Sequence, residues 1–307
     1  MEAIPLNDHF SVLHFLSGEC NKLSKNLLDQ FYALYLLVFK KSQLEIESQV
    51  LWHNKAPGTV HYFFGVEKNR LVSFNYFMQF KGSFFSYALS GGSLTHPENR
   101  GSFLPLFQFA SGLMLRTVDI LIGFCNKNSC RVFCHPVLGW KEITDFRQFR
   151  LIESLDMEEE KISYTKASIK DIEDCPTYFL PLKRDDLYCS WRLQRVSEPI
   201  ILINQQSKAI SILKPFHHSV DLITIVNITS LKDYVNELKN LHHLFHNQST
   251  TFTGINIYLS FPQIENILTK KFRLESLDHE RHLCFKTGTI SNTFPNLHIE
   301  MIDSDLF

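Results

Sequence analysis

Between Asn26 and Phe39 the apolar residues Leu27, Leu28, Phe31, Leu34, Tyr35 and Val38 recur at helical spacing, which predicts an amphipathic helix. Lys40 and Lys41 follow it and suit a helix C-terminus. A second helical piece, Ser42 to Trp52, leads into the turn His53-Asn54-Lys55-Ala56-Pro57-Gly58. The pattern then changes to runs of β-branched and aromatic residues. Val60–Val66, Leu71–Gln79 and Phe84–Leu89 are joined by the tight polar turns 67–70 and 81–83, which predicts an antiparallel meander. Residues 1–25, interrupted by Pro5, Asn7 and Gly18, read as an irregular lead-in. The third strand ends in Ser90, Gly91 and Gly92. Beyond it Thr95-His96-Pro97-Glu98-Asn99-Arg100-Gly101 is turn-rich, and Gly101 permits close approach of backbone to a ligand. A helical stretch follows, with Leu104, Phe107, Leu113 and Leu115 apolar, and its opening presents backbone N–H groups suited to an anion. Next come a strand, Val118–Phe124, the segment Asn126-Lys127-Asn128-Ser129, and a second helical run ending at Leu138-Gly139-Trp140.

Near residue 155 the character changes. Met157–Lys161 is a charged run of the kind found in solvated linkers. The expected domains are therefore 1–155 and 156–307. In the second, Ile200–Ile203, Ala209–Leu213 and Leu222–Ile228 are strand-like. Ser230 caps a helix running to Phe245, with Leu231, Val235, Leu238 and Leu241 on one face. Gly254–Leu259 reads as a strand, Gln263–Leu268 as a helix and Leu283–Lys286 as a last strand. This order repeats that of the first half, without an Arg-Gly loop after Ile228. The fold class expected is α/β (α+β): two tandem domains of mixed, mostly antiparallel sheets flanked by helices, the second a degenerate copy.

Composition narrows the class. The 307 residues suffice for two domains of ordinary size, and 44% hydrophobic with 21% charged residues fits a globular protein with a full core. The 27 Phe are assigned to that core. A net charge of −1 leaves no basic footprint for nucleic acid. No apolar run reaches the roughly 20 residues of a membrane span. MEAIPLNDHF lacks the basic start and long apolar core of a signal peptide, so a cytoplasmic location is expected. Seven cysteines, an odd number without regular spacing, point to free thiols. Cys125, Cys130, Cys134 and His135 crowd together, but their spacing lacks the paired knuckles of structural zinc. On a helix Cys130 and Cys134 share one face as small hydrophobes, and no metal is expected.

From Ser90 to Trp140 the order is strand, basic glycine turn, helix, strand, Asn-x-x-Ser, helix, Gly-aromatic. That order resembles the acyl-CoA-binding core of the GNAT acyltransferase superfamily. Arg100-Gly101-Ser102-Phe103 begins the superfamily's Arg-Gly-x-Gly-x-Gly/Ala loop, although the second glycine is absent. Gly123, Phe124, Asn126 and Ser129, then Gly139 and Trp140, match the downstream landmarks. The resemblance implies that Asn99, Arg100, Gly101, Ser102 and Phe103 hold the CoA pyrophosphate. It implies that Asn126 and Ser129 touch the pantetheine or nucleotide end. Leu94-Thr95-His96 falls where the superfamily places backbone N–H groups beside the thioester carbonyl, so Leu94 joins the cofactor residues and Thr95 the catalytic ones. The Tyr that serves many members as general acid, seven residues after the Asn, is here Phe133. For a base, His96 comes first and His135 second. Each also reads as a hydrogen-bonded structural histidine, and positioning of a partly neutral amine is the rival that needs no base.

Over its length the chain resembles two-domain GNAT sugar N-acyltransferases of surface polysaccharide biosynthesis, such as O-antigen and capsule. This implies an acyl-CoA donor, acetyl-CoA or 3-hydroxybutyryl-CoA, and a dTDP-linked amino-dideoxy sugar as the nucleotide-sugar acceptor. Trp52, His53, Trp191 and Arg192 are the acceptor candidates, since an aromatic ring stacks on thymine and an Arg pairs with pyrophosphate. Trp52 and His53 read equally as a core indole and a turn residue. The ending Ile302–Phe307 resembles the Asp-Ser-Asp ending of such proteins. Two readings from other classes stand beside this one. One is a non-catalytic GNAT-like binding module. The other is an aminoacyl- or peptidyl-transferase of the tandem-GNAT type, which the absence of a basic groove opposes.

Overall fold

The computed structural model describes residues 13–82, 85–143, 146–155, 162–172, 185–249, 251–259, 262–277 and 281–288. Met157–Lys161, Phe84 and the Ile302–Phe307 ending, on which expectations were placed, lie outside them. Two compact units share the chain. One comprises Met1–Glu142 and Leu283–Asn292, the other Ile143–His282 and Thr293–Phe307.

In chain order the first half carries β1 (Leu13–Glu19), α1 (Lys25–Phe39), α2 (Gln43–Asn54), β2 (Thr59–Glu67), β3 (Arg70–Lys81) and β4 (Ser86–Thr95). Then come α3 (Phe103–Met114), β5 (Ile120–Asn126), α4 (Lys127–Phe133) and β6 (Lys141–Ile143). The remainder is β7 (Arg147–Ser154), β8 (Tyr164–Lys166), α5 (Asp186–Leu193), β9 (Ile200–Asn204), β10 (Ile210–Phe216) and β11 (Ser219–Val226). It closes with α6 (Leu231–Gln248), β12 (Gly254–Leu259), α7 (Pro262–Leu268), β13 (Phe272–Ser276) and β14 (Arg281–Thr287). Two seven-stranded sheets result, ordered β1-β2-β3-β4-β5-β14-β6 and β13-β7-β12-β11-β10-β9-β8. In the first, β1 to β4 form an antiparallel meander, and α3 then carries the chain over to β5, parallel to β4. The second repeats this plan, β9 to β11 antiparallel and α6 leading to the parallel strand β12.

Side-chain alternation assigns the faces of the first sheet. Tyr62, Phe64, Phe74 and Tyr76 meet Phe31 and Tyr35 of α1 in an aromatic cluster, with Phe31 and Phe74 rings 4.5 Å apart. Phe63, Phe77, Ala88 and Leu121 pack on the other face against Leu106, Phe107 and Ala110 of α3, together with Phe133 and Trp140. The helix starts follow the sequence. Ser42 and Glu45 make a reciprocal capping box on α2, and the Ser230 hydroxyl accepts from the Asp233 N–H on α6. In the second unit the buried face of α6, Tyr234, Val235, Leu238 and Leu241, covers Leu151, Leu222, Ile255 and Ile257. Among the described residues no helix is long and apolar enough to cross a membrane.

Four expectations are corrected. The lead-in is not irregular throughout, because Leu13–Glu19 pairs with β2 as the sheet's edge strand. The third strand does not stop at Ser90-Gly91-Gly92; β4 passes through those residues to Thr95 by way of a bulge. The helical run after Ser129 ends at Phe133. The division falls near residue 143 and not at 155, since Arg147–Ser154 pairs with β12 and β13 in the second sheet.

Candidate functional site at the parting of two parallel strands

The β4–β5 ladder runs from Tyr87↔Ile120 to Ser90↔Gly123 and ends there, although β4 continues to Thr95 and β5 to Asn126. A bulge drives the separation. Tyr76 of β3 faces Gly91, and Phe74, two residues earlier, faces Leu94, so β4 spends an extra residue at Gly92 and Ser93. Gly92 holds φ +57° over the Tyr76 ring. Asn75 fills the space that the bulge opens. Its buried amide donates to Ser90 Oγ (3.3 Å), the Gly91 carbonyl (3.1 Å) and Ser93 Oγ (3.0 Å). The result is a polar notch on β4 whose β5-facing backbone groups have no strand partner beyond Ser90.

The Thr95–Gly101 turn forms a 3-10 helix, Pro97–Ser102, running into α3. Ser102 stands where a capping hydroxyl belongs, yet it makes no cap bond. It is 8% exposed, and its Oγ has no hydrogen-bond partner. Gly101 is exposed, with nothing within 4 Å of where a Cβ would stand, so no protein neighbour demands glycine there. Arg100 is exposed. Asn99 is tied back to the β2–β3 turn, donating to Glu67 Oε2 at 2.6 Å, and Phe103 stacks on Phe107. Exposed Arg100, open Gly101 and an orphaned hydroxyl at the start of a helix suit an anion. Across the parting, the Asn126 side chain caps α4, its Oδ1 accepting from the Ser129 N–H (2.9 Å) and hydroxyl (3.0 Å). Phe133 is buried over Gly123 and packs on Phe107 and Trp140, with no polar atom to give.

His96 follows Thr95 and is 5% exposed. Its backbone N–H donates to the Val72 carbonyl at 2.7 Å, and its Nε2 faces the Arg70 guanidinium. A guanidinium only donates, and on the other side of the ring the Glu98 backbone N–H donates to Nδ1 at 3.3 Å, capping the turn. Both ring nitrogens therefore face N–H donors, and Arg70 reaches the ring from β3, on the opposite side of β4 from β5. His135 is exposed beyond α4, its Nδ1 accepting from the Val137 N–H at 3.4 Å.

The acceptor candidates are divided between the two units. Trp52 and His53 are buried, at 6% and 3% exposure. Burial pushes the Tyr62 phenol well up; its hydroxyl lies 2.6 Å from His53 Nδ1, and the Tyr76 ring lies 4.4 Å from the imidazole. Both side chains are thus buried, and His53 is linked through Tyr76 to the bulge. In the second unit Trp191 and Arg192 are buried at 2% and 1% exposure, and the guanidinium lies over the Trp191 ring at 4.9 Å. A concavity of about 1620 Å³ lies in that unit, beside Tyr164, Asn204, Glu237 and His242. Sequence reasoning missed Asn75, Gly92 and Ser93, which shape the notch, and Arg70, which engages His96. Gly92 at a bulge carried a signal; an Asn inside a strand carried none.

No protein-family model and no curated protein matches this sequence. Its fold is nevertheless found among solved structures, where it is that of GNAT-type N-acetyltransferases. A GCN5-related N-acetyltransferase from Anabaena variabilis superposes with TM-score 0.62 at 10% identity, covering 90% of this chain and 73% of that one. One from Kribbella flavida gives 0.60 at 11% identity, covering 90% and 71%. Eis1 from Mycobacterium abscessus gives 0.57 at 9%, covering 89% and 73%. What is shared at such identities is the fold, and each match spans residues of both units.

Proposed function

We propose that this protein transfers an acyl group from acyl-CoA to a primary amine, with the donor seated where β4 and β5 part. The carrying observation is the notch itself: unpaired strand backbone beyond Ser90↔Gly123, leading to a helix start with the orphaned Ser102 hydroxyl. An extended ligand with amide groups, such as a pantetheine arm, can continue the broken ladder as an added strand. Its pyrophosphate would then meet Arg100, Gly101, Ser102 and the α3 N-terminus. Asn99, Phe103, Asn126 and Ser129 would flank it.

In this reading the amine nitrogen attacks the thioester carbonyl, and the carbonyl oxygen gains negative charge that backbone N–H groups around Leu94 and Thr95 stabilise. Removing one such donor typically costs about 3–4 kcal/mol. The thiolate departs without help from Phe133. Because N–H donors face both His96 ring nitrogens, the amine deprotonates to solvent and is held for attack by positioning; His96 anchors the turn, and His135 stays outside the chemistry. For the acceptor we favour a nucleotide-linked amino sugar such as a dTDP-amino-dideoxy sugar, with acetyl-CoA or 3-hydroxybutyryl-CoA as donor. This finer reading rests on the sequence resemblance alone. The buried Phe133 and engaged His96 also favour a second reading, a module that binds acyl-CoA without turnover.

The test is thermal stability with acetyl-CoA, 3-hydroxybutyryl-CoA and free CoA, each with and without a dTDP-amino sugar, for the native chain and Ser102→Ala. A ligand at 100 times its Kd adds about 2.7 kcal/mol. Ser102→Ala is expected to leave the ligand-free protein unharmed, since it deletes an unsatisfied buried hydroxyl, and to shrink the CoA shift. No shift with any CoA would overturn the site. A shift without release of CoA thiol from acyl-CoA in the presence of any amine tried would establish the binding module instead.

A further inference from the structure

The three cysteines that crowd after β5 are joined in the fold by a fourth. Cys125 lies near the end of β5, Cys130 on α4, Cys134 at the C-cap of that helix, and Cys284 on β14, the neighbour of β5 in the first sheet. The sulfurs of Cys130, Cys134 and Cys284 form a nearly equilateral triangle with edges of 3.8, 3.9 and 4.0 Å. Cys125 Sγ is 3.4 Å from Cys284 Sγ and within 4.8 Å of Cys130 Sγ. A zinc ion bound by four thiolates at about 2.3 Å in a tetrahedron holds its sulfurs about 3.8 Å apart. The triangle has that spacing before any ion is considered.

We infer that Cys125, Cys130, Cys134 and Cys284 form a structural zinc site in the first unit. The chemistry of the donor set fits. Four sulfur donors, three of them at the spacing of a tetrahedral zinc site, select soft or borderline metals and not magnesium or calcium. Cys125, Cys130 and Cys284 are buried at 3%, 6% and 0% exposure, and Cys134 is half-buried, which gives the ion a route in. With four protein ligands no position remains for water or substrate, so the role is to fasten β14 and α4 to β5. The sequence spacing of Cys125, Cys130 and Cys134 argued against metal only because the fourth ligand stands 150 residues beyond Cys134. A bland alternative exists in which four neutral thiols pack as small apolar groups. The two differ in one observable, the metal.

The experiment measures metal in the full chain expressed with zinc supplied, purified under reductant without a metal-chelate resin. About one zinc per chain is expected, released when a mercurial titrates the thiols and restored, with the thermal midpoint, on re-adding Zn²⁺. Cys284→Ser and Cys130→Ser are each expected to lose most of the zinc. Should a serine variant fail to fold, cobalt added to the metal-free native chain is the second readout, giving the thiolate-to-cobalt charge-transfer band of a sulfur-rich tetrahedral site. A reduced, folded chain that holds less than about one-tenth zinc, and neither binds added Zn²⁺ nor shows the cobalt band, would overturn the site. A Cys125–Cys284 disulfide in the freshly isolated protein, or iron in place of zinc, would overturn it equally.

Discussion

At the scale of single residues the two glycines of the notch make opposite predictions. Gly92 holds φ +57°, and a Cβ there would stand 2.3 Å from Tyr76 Cε1. A left-handed conformation costs an L-residue about 1–2 kcal/mol, and the clash adds to it. Gly92→Ala is therefore expected to lose about 2 kcal/mol or more in urea unfolding. Gly101→Ala meets nothing within 4 Å and is expected to unfold as the native chain does. If Gly92→Ala unfolded at the native midpoint, the bulge would not be what holds β4 away from β5. Sequence reasoning found Gly101 by its neighbour Arg100 but took Gly92 for a strand end, because Ser-Gly-Gly reads as a turn when the partner strand is unseen. His96 shows the same limit: its place after Thr95 was legible, but Arg70, 26 residues earlier, comes to it only through strand pairing.

Among the elements, α6 carries a buried carboxyl whose ionisation can be read in solution. Glu237 is 2% exposed, and its oxygens accept from Asn204 Nδ2 (2.8 Å), Ser211 Oγ (3.0 Å) and Tyr164 Oη (3.0 Å). Burial still pushes the carboxyl above its ordinary value of 4.5, against the pull of those donors. The folded state therefore keeps this proton more tightly than the unfolded chain, so the contribution of Glu237 to stability is largest at acid pH. It declines as pH rises from the unfolded value through the raised folded one. Glu237→Gln keeps the shape without the ionisation. It is expected to gain on the native chain as pH climbs above about 4.5 and through the raised folded value in parallel denaturant titrations. A difference that stays constant over that range would mean the carboxyl is not desolvated in solution. α6 itself was legible from its apolar stripe and Ser230 cap, as was α1, because helical periodicity is local. The edge strand β1 was not, since Pro5, Asn7 and Gly18 in the same stretch masked a seven-residue strand.

For the whole molecule, the repeated order of strands and helices was legible from the sequence, but the exchange between the halves was not. β7 follows β6 in the chain yet lies in the second sheet beside β12, while β14 follows β13 yet lies in the first beside β5. Each sheet thus takes one strand from the other half of the sequence. Local periodicity marks such strands without saying which sheet receives them. A cut at the charged run after residue 155 would look harmless in the sequence and is expected to be destructive. The fragment 1–155 lacks β14, so β5 loses one of its two neighbours and Cys284 leaves the thiol cluster. It also retains β7 without β12 and β13, the strands that pair with it and cover Phe149 and Leu151. A β5 left open along one edge and an orphaned apolar strand are both templates for association. The fragment is expected to aggregate or to unfold without a cooperative transition, by size-exclusion chromatography and thermal melting. A monomeric fragment melting cooperatively near the full chain's midpoint would show instead that the first sheet is complete without the strand it receives from the C-terminal half.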